Sequence, residues 1–158
     1  MDAPVITGFV NDATRAADGA NWFLSDVKNE KKEVSAKWMT VGLGVYDLYI
    51  NGKPVGNEVL KPGFTHPLKT KRAYTYDVTG MMITNAGAQN QFAVQVTPGW
   101  WADKIVTPGG NKGMFGTKCA FRGVLELTYT DGTKKLYGSD TKTWKAGIAG
   151  TVKKLRSA

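Results

Sequence analysis

The stretch K-E-V-S-A-K-W-M-T-V, Lys32–Val41, decides how this chain folds: Val34, Ala36, Trp38 and Thr40 alternate with Ser35, Lys37, Met39 and Val41. A repeat of two marks a strand with one face buried, whereas a helix repeats every 3.6 residues. The pattern resumes after Gly42-Leu43-Gly44 in G-V-Y-D-L-Y-I (44–50) and runs into Asn51-Gly52. That dipeptide tolerates positive φ at both positions and predicts a two-residue hairpin turn. The returning strand is expected to be short and at a sheet edge, because Pro54 has no N–H to give to a ladder.

The same signs recur along the chain. In N-Q-F-A-V-Q-V-T-P-G (90–99), Phe92, Val94 and Val96 alternate with Gln91, Ala93 and Gln95. In R-G-V-L-E-L-T-Y-T-D-G-T-K-K-L-Y-G-S (122–139), Leu125, Leu127 and Tyr129 share a face, and Asp131-Gly132 predicts a second hairpin back through Tyr137. T-K-T-W-K-A-G (141–147) offers one more short strand. Trp22, Trp38 and Trp144 lie in or beside these patterns and are expected to pack. The helix-length candidates, 11–20 and 78–88, are short and broken by glycine. Many short strands with frequent turns predict an all-β chain, an antiparallel β-sandwich or jelly roll.

At 158 residues, 42% of them apolar, the chain is long enough for one well-built domain and too short for two. No apolar run reaches the length of a membrane span, and the first twenty residues lack the basic start and long apolar stretch of a signal peptide, so no membrane partner is expected. Cys119 stands alone, which excludes a disulfide framework, and is read as an unreactive thiol. The single His66, between Thr65 and Pro67, is read as a solvated loop residue. The net charge of +8 raises nucleic acid as a partner, but the cations are scattered along the chain and broken up by acids or apolar positions. Solvated strand faces explain them better, and no nucleic acid is expected. The glycines of T-P-G-G-N-K-G-M-F-G-T-K (107–118) lack the lysine ending and the strand-loop-helix setting of a phosphate loop.

Read in order, S-A-K-W-M-T-V-G-L-G-V-Y-D-L-Y-I-N-G-K-P-V-G-N-E-V-L-K-P-G-F-T, Y-T-Y-D-V-T, N-Q-F-A-V-Q-V-T-P-G-W-W, L-E-L-T-Y-T-D-G-T and S-D-T-K-T-W-K-A resemble the amino-terminal β-sandwich domain of bacterial α-L-rhamnosidases. The resemblance covers about residues 22–146. It implies a galactose-binding-like sandwich spanning 1–158 as a single accessory domain of a larger glycoside hydrolase. The final A-G-I-A-G-T-V-K-K-L-R-S-A stops where the family pattern would continue, as in a cut fragment.

In that family the catalytic acid and base lie in a downstream helical barrel, so this chain is expected to have no catalytic residues of its own. Its carboxylates show no recognisable pair of the kind glycoside hydrolysis needs. The implied parent is exported to the periplasm, the cell surface or the medium, with a cytoplasmic location left open. Similar domains can bind rhamnose, some with calcium, which makes a rhamnose-containing glycan and the other domains of the parent the expected partners. An aromatic plate fits the apolar face of a sugar. Trp100 and Trp101, followed by Asp103, supply that chemistry, although family members usually show Trp-Tyr there. Asn57 and Glu58 stand where relatives tend to carry an Asp. They offer a neutral carbonyl oxygen and a carboxylate, a possible but charge-poor calcium site, and no cofactor is otherwise required. A purely structural interdomain module is the alternative.

Overall fold

The computed structural model describes residues 10–11, 21–103 and 111–148. Its strands are β1 (Val10–Asn11), β2 (Asn21–Lys28), β3 (Glu33–Leu43), β4 (Val45–Ile50), β5 (Lys53–Pro54), β6 (Tyr74–Asp77), β7 (Gln89–Thr97), β8 (Ala120–Tyr129), β9 (Lys134–Gly138) and β10 (Lys145–Ile148). A four-residue helix, α1, covers Gly99–Ala102. One sheet runs β6-β3-β8, with β1 and β9 sharing the far edge of β8, and the other runs β10-β2-β7-β4-β5. Every pairing is antiparallel, as a sandwich requires.

Both predicted hairpins form. Asn51 and Gly52 take φ of 50° and 79°, and Ile50 faces Lys53 across the turn. β5 ends at Pro54 on the edge of its sheet. At the second turn Asp131 Oδ1 accepts from the N–H and hydroxyl of Thr133, which pins the β8–β9 link.

Trp38 occupies the middle of the core. Its ring meets Phe92 of the opposite sheet edge-on at 5.0 Å and Phe121 at 6.1 Å. Phe23, Tyr46, Leu48, Ile50, Val94 and Leu127 complete the buried core. At about 25 cal/mol per Å², burial of such side chains is worth roughly 1.5–3 kcal/mol each and is the main force holding the layers together.

Gly44 moves the chain from one layer to the other. Its φ is +126°, and a Cβ there would lie 2.4 Å from the Thr97 carbonyl oxygen. Glycine alone fits, so β3 and β4, nearly continuous in sequence, belong to different sheets.

Several expectations need correction. Alternation groups Val34 with Ala36, Trp38 and Thr40, yet Val34 is 51% exposed and Glu33 is buried. The register slips between Glu33 and Ser35, a bulge that reverses the parity of the strand's first residues. Segment 78–88 yields only a 3-10 turn at Thr79–Met81: Met82 is extended, and the Asn90 side chain takes both backbone groups of Ile83 out of any helical ladder. Candidate 11–20 lies outside the described residues apart from Asn11, which belongs to β1. The last strand begins at Lys145, since Asp140 Oδ1 gathers the N–H groups of Lys142 and Thr143 into a turn before it. Trp38, Trp144 and Trp22 pack as expected, Trp22 half-buried against Tyr49 with the rings 5.7 Å apart, beside the core cluster. His66 is exposed, as expected, and Cys119 is buried.

Candidate functional site

The rim at the ends of β4 and β7 brings together the turn-rich 55–72 segment, α1 and the loop 111–118. Gly99 permits the approach: at φ +45°, a Cβ would lie 2.5 Å from Val45 Cγ2. The helix then presents Trp100 and Trp101 in different roles. Trp101 lies on Gly116, where an added Cβ would come within 2.4 Å of its ring, and its Nε1–H donates to the Lys118 carbonyl at 3.0 Å. It is a clamp on the 111–118 loop. Trp100 instead meets Phe64 edge-on at 6.1 Å, Phe64 touches Phe115 at 6.4 Å, and Phe115 touches the His66 ring at 6.0 Å.

Phe64 is 60% exposed, so this cluster offers an aromatic face to solvent. The hollow that Trp100 and Trp101 wall with Pro62, Gly63 and Arg72 encloses only about 20 Å³. That is room for about one water molecule, so a sugar would lie across the rim rather than inside it.

Asn57 and Glu58 stand exposed in the same turn-rich segment. The Tyr76 hydroxyl donates to Glu58 Oε2 at 3.2 Å. Burial first, then the Glu58 carboxylate, pushes the Tyr76 phenol well above its ordinary range. Gly56, at φ +73°, allows the contact, since a Cβ would sit 2.4 Å from Glu58 Oε2 and 2.7 Å from the Tyr76 ring. Tyr74 stacks on Tyr76 at 6.1 Å and donates to the Pro62 carbonyl, stapling the segment to the edge of the other sheet.

Lys61 is 3% exposed, a buried cation. Its Nζ donates to the Val55 carbonyl at 3.2 Å and stands 3.9 Å from Asp47 Oδ1. Its backbone carbonyl also accepts from Tyr46 N–H at 2.8 Å, locking the root of the loop. Among the described residues no hydrogen bond or ring contact joins Asn57 or Glu58 to Trp100 or Trp101. Asp103 closes α1, its N–H bonded to the Gly99 carbonyl, and is exposed.

The residues that sequence reasoning missed are Phe64, Phe115, Lys61 and Tyr76. An aromatic residue placed directly after Pro62-Gly63 was the available signal for Phe64, since turns seldom need one. A roomier hollow of about 270 Å³ opens between β9 and the turn before β10, where the core side chains Trp38, Phe92 and Leu125 share its walls with Asp26, Tyr137 and Asp140. Its Ser25 hydroxyl donates to the Thr143 carbonyl, and Asp140 Oδ1 is engaged by the N–H groups of Lys142 and Thr143.

Residues 31–156 match the family model described as the α-L-rhamnosidase N-terminal domain. An α-L-rhamnosidase of Streptomyces avermitilis is 35% identical over 136 residues, covering 82% of this chain and 12% of that protein. Among solved structures, native α-L-rhamnosidase from Aspergillus terreus superposes with a TM-score of 0.80 at 28% identity, over 89% of this chain and 16% of that one. The Streptomyces avermitilis α-L-rhamnosidase complexed with L-rhamnose gives 0.73 at 32% identity, over 82% and 12%. The chain thus spans a small part of the length of the relatives it matches.

Proposed function

Because this chain belongs to the α-L-rhamnosidase N-terminal domain family, we propose that it is a non-catalytic accessory domain whose rim recognises a rhamnose-containing glycan. The exposed aromatic face of Phe64 and Trp100 carries this reading. A 6-deoxy sugar has an apolar side that such a face can cover, and neighbouring polar groups can fix its hydroxyls. One of the similar structures holds L-rhamnose, which makes that sugar the natural probe. The non-catalytic part is supported by how the carboxylates are used: Asp77, Asp131 and Asp140 brace turns, Glu30 and Glu126 pair with lysines, and Glu58 takes the Tyr76 hydroxyl.

Calcium belongs to the proposal as a second component. Asn57 and Glu58 supply two side-chain oxygens of the six to eight that the ion takes, so water and sugar hydroxyls would complete the shell. Among the described residues no group of three or more His, Cys, Asp or Glu side chains converges on one point. In this role the ion would bridge the rim to the sugar.

Calorimetric titration with L-rhamnose, with calcium and with chelator, tests the reading. Trp100→Ala should weaken binding by about 1–2 kcal/mol, roughly ten- to thirtyfold, with thermal stability nearly unchanged. The second reading, packing against a neighbouring domain of the parent enzyme, is favoured by the exposed apolar residues Val59, Leu60, Phe64, Leu68 and Met114 on the same rim loops. Absence of any heat with L-rhamnose in the unmutated domain under both conditions would favour it and defeat the sugar-binding proposal.

A further inference from the structure

The two sheets part along one side of the sandwich. β10 covers only the first half of β2, with Lys145 opposite Leu24 and Ile148 opposite Asn21, so residues 25–28 have no strand beside them on that flank among the described residues. In the facing sheet β9 ends at Gly138, opposite Val124. The hollow of about 270 Å³ lies where these strands diverge, reached past the turn 139–144. It shares no residue with the hollow at the rim.

Its interior is aromatic. Trp38 and Phe92 meet edge-on at 5.0 Å, and glycine at position 123 makes room for the indole, since a Cβ there would stand 2.9 Å from Trp38 Nε1. Trp144 forms a half-buried wall, its ring 5.3 Å from Phe121. Tyr137 forms another wall, and its ring already receives the Lys135 ammonium at 5.4 Å from the centroid.

The charge of the hollow runs against that of the whole chain. The chain carries +8, yet no lysine or arginine lines this space, and its two charged residues are both acids. Asp26 is exposed, and among the described residues no hydrogen bond or ion pair engages its carboxylate. Asp140 gives Oδ1 to the N–H groups of Lys142 and Thr143 and to the Thr143 hydroxyl, which leaves Oδ2 open. The Thr143 N–H first, and the other bonds of the turn after it, hold the Asp140 carboxyl below its ordinary range, so it is an anion at neutral pH. Lys142 is exposed on that turn and outside the lining.

We infer that this hollow is a binding site for a small organic cation, an alkylammonium whose carbon groups lie against Trp38, Phe92 and Trp144 and whose charge faces Asp26 and Asp140. Ring faces are electron-rich and attract an ammonium, most strongly where water is displaced. Two carboxylates add to that attraction and repel an anion. Pockets for drug-sized ligands start at about 300 Å³, so the occupant is small, on the scale of one quaternary ammonium group. The inference is independent of the sugar-binding reading.

Choline is the probe, and neohexyl alcohol, which has the same shape with carbon in place of the charged nitrogen, is its control. NMR of the tryptophan indole N–H groups follows both titrations at constant ionic strength, in the intact domain and in Asp26→Asn. Because Asp26 is exposed and unengaged, this exchange leaves the fold intact. Choline should shift the Trp38 and Trp144 resonances saturably, the alcohol should bind more weakly, and Asp26→Asn should weaken choline by roughly two- to fivefold. The absence of a saturable shift at Trp38 and Trp144, equal binding of the alcohol, or an unchanged choline affinity in Asp26→Asn would each overturn the assignment. Shifts confined to Trp100 and Trp101 would put the cation on the rim and overturn it as well.

Discussion

Replacing Gly116 with alanine puts the seat of Trp101 under direct strain. The added Cβ would lie 2.4 Å from Cζ2, 2.5 Å from Cε2 and 2.7 Å from Nε1 of the indole, all well inside van der Waals contact. No positive φ complicates the change at this glycine. The indole must lift, and its 3.0 Å hydrogen bond to the Lys118 carbonyl breaks. Overpacking of this kind costs about 1–3 kcal/mol, and a lost hydrogen bond about 0.5–1.5 kcal/mol. A total destabilisation of about 2–4 kcal/mol in urea unfolding is the expected outcome. Gly80→Ala is the control, because its Cβ would meet nothing within 4 Å; it should stay within about 0.5 kcal/mol of the unmutated domain. The Trp101 indole N–H resonance should shift in Gly116→Ala and remain in place in Gly80→Ala. If Gly116→Ala unfolds at the same urea concentration with that resonance unmoved, Trp101 does not clamp the loop, and the division of roles between the two tryptophans fails.

Two more perturbations follow from the same structure. Asn51→Gly keeps the turn's positive φ but loses the side-chain bonds to Asn90 Oδ1, the Met81 carbonyl and Gln91 N–H, so urea unfolding should show a loss of about 1–3 kcal/mol; no loss would mean that Asn51 serves the turn alone. The Asp131 carboxyl is held far below the usual range by Lys31 first and Thr133 second, so its contribution exists above the ordinary carboxylate value of 3.8 and disappears as pH falls beneath it. Asp131→Asn should accordingly flatten the acid limb of a melting-temperature profile, and an unchanged limb would assign acid unfolding to other carboxylates.

Much of the architecture was legible because it rests on local chemistry. Asn51-Gly52 and Asp131-Gly132 turn wherever strands flank them, and the period of β3, β7 and β8 follows from one buried face. Alternation stopped short where a long-range contact decides. The bulge beside Glu33 depends on β8, so parity misplaced Val34. The change of layer at Gly44 depends on the Thr97 carbonyl, which no local pattern reveals. At the rim, an aromatic pair could be recognised as candidate sugar-contact chemistry, but its division into a clamp and an exposed face depends on Gly116, Lys118 and Phe64, all distant in the chain. Glu58 was visible, and its tether to Tyr76 was not, because that contact crosses from one sheet to the other.

The order of pairing also governs how the domain is made. β3 lies between β6 and β8, and its long partner spans Ala120–Tyr129, while β2 waits for β7 at Gln89–Thr97. During synthesis Phe23, Trp38 and Leu48 leave the ribosome well before the strands that will cover them. At about 5–20 residues per second the delay is on the order of several seconds, long compared with the microseconds to milliseconds in which local structure forms. Through that interval the nascent chain offers sticky, half-finished strands to its neighbours. A ribosome stall between β4 and β8 would therefore be more hazardous to this domain than a stall after β9, when both layers have their central partners.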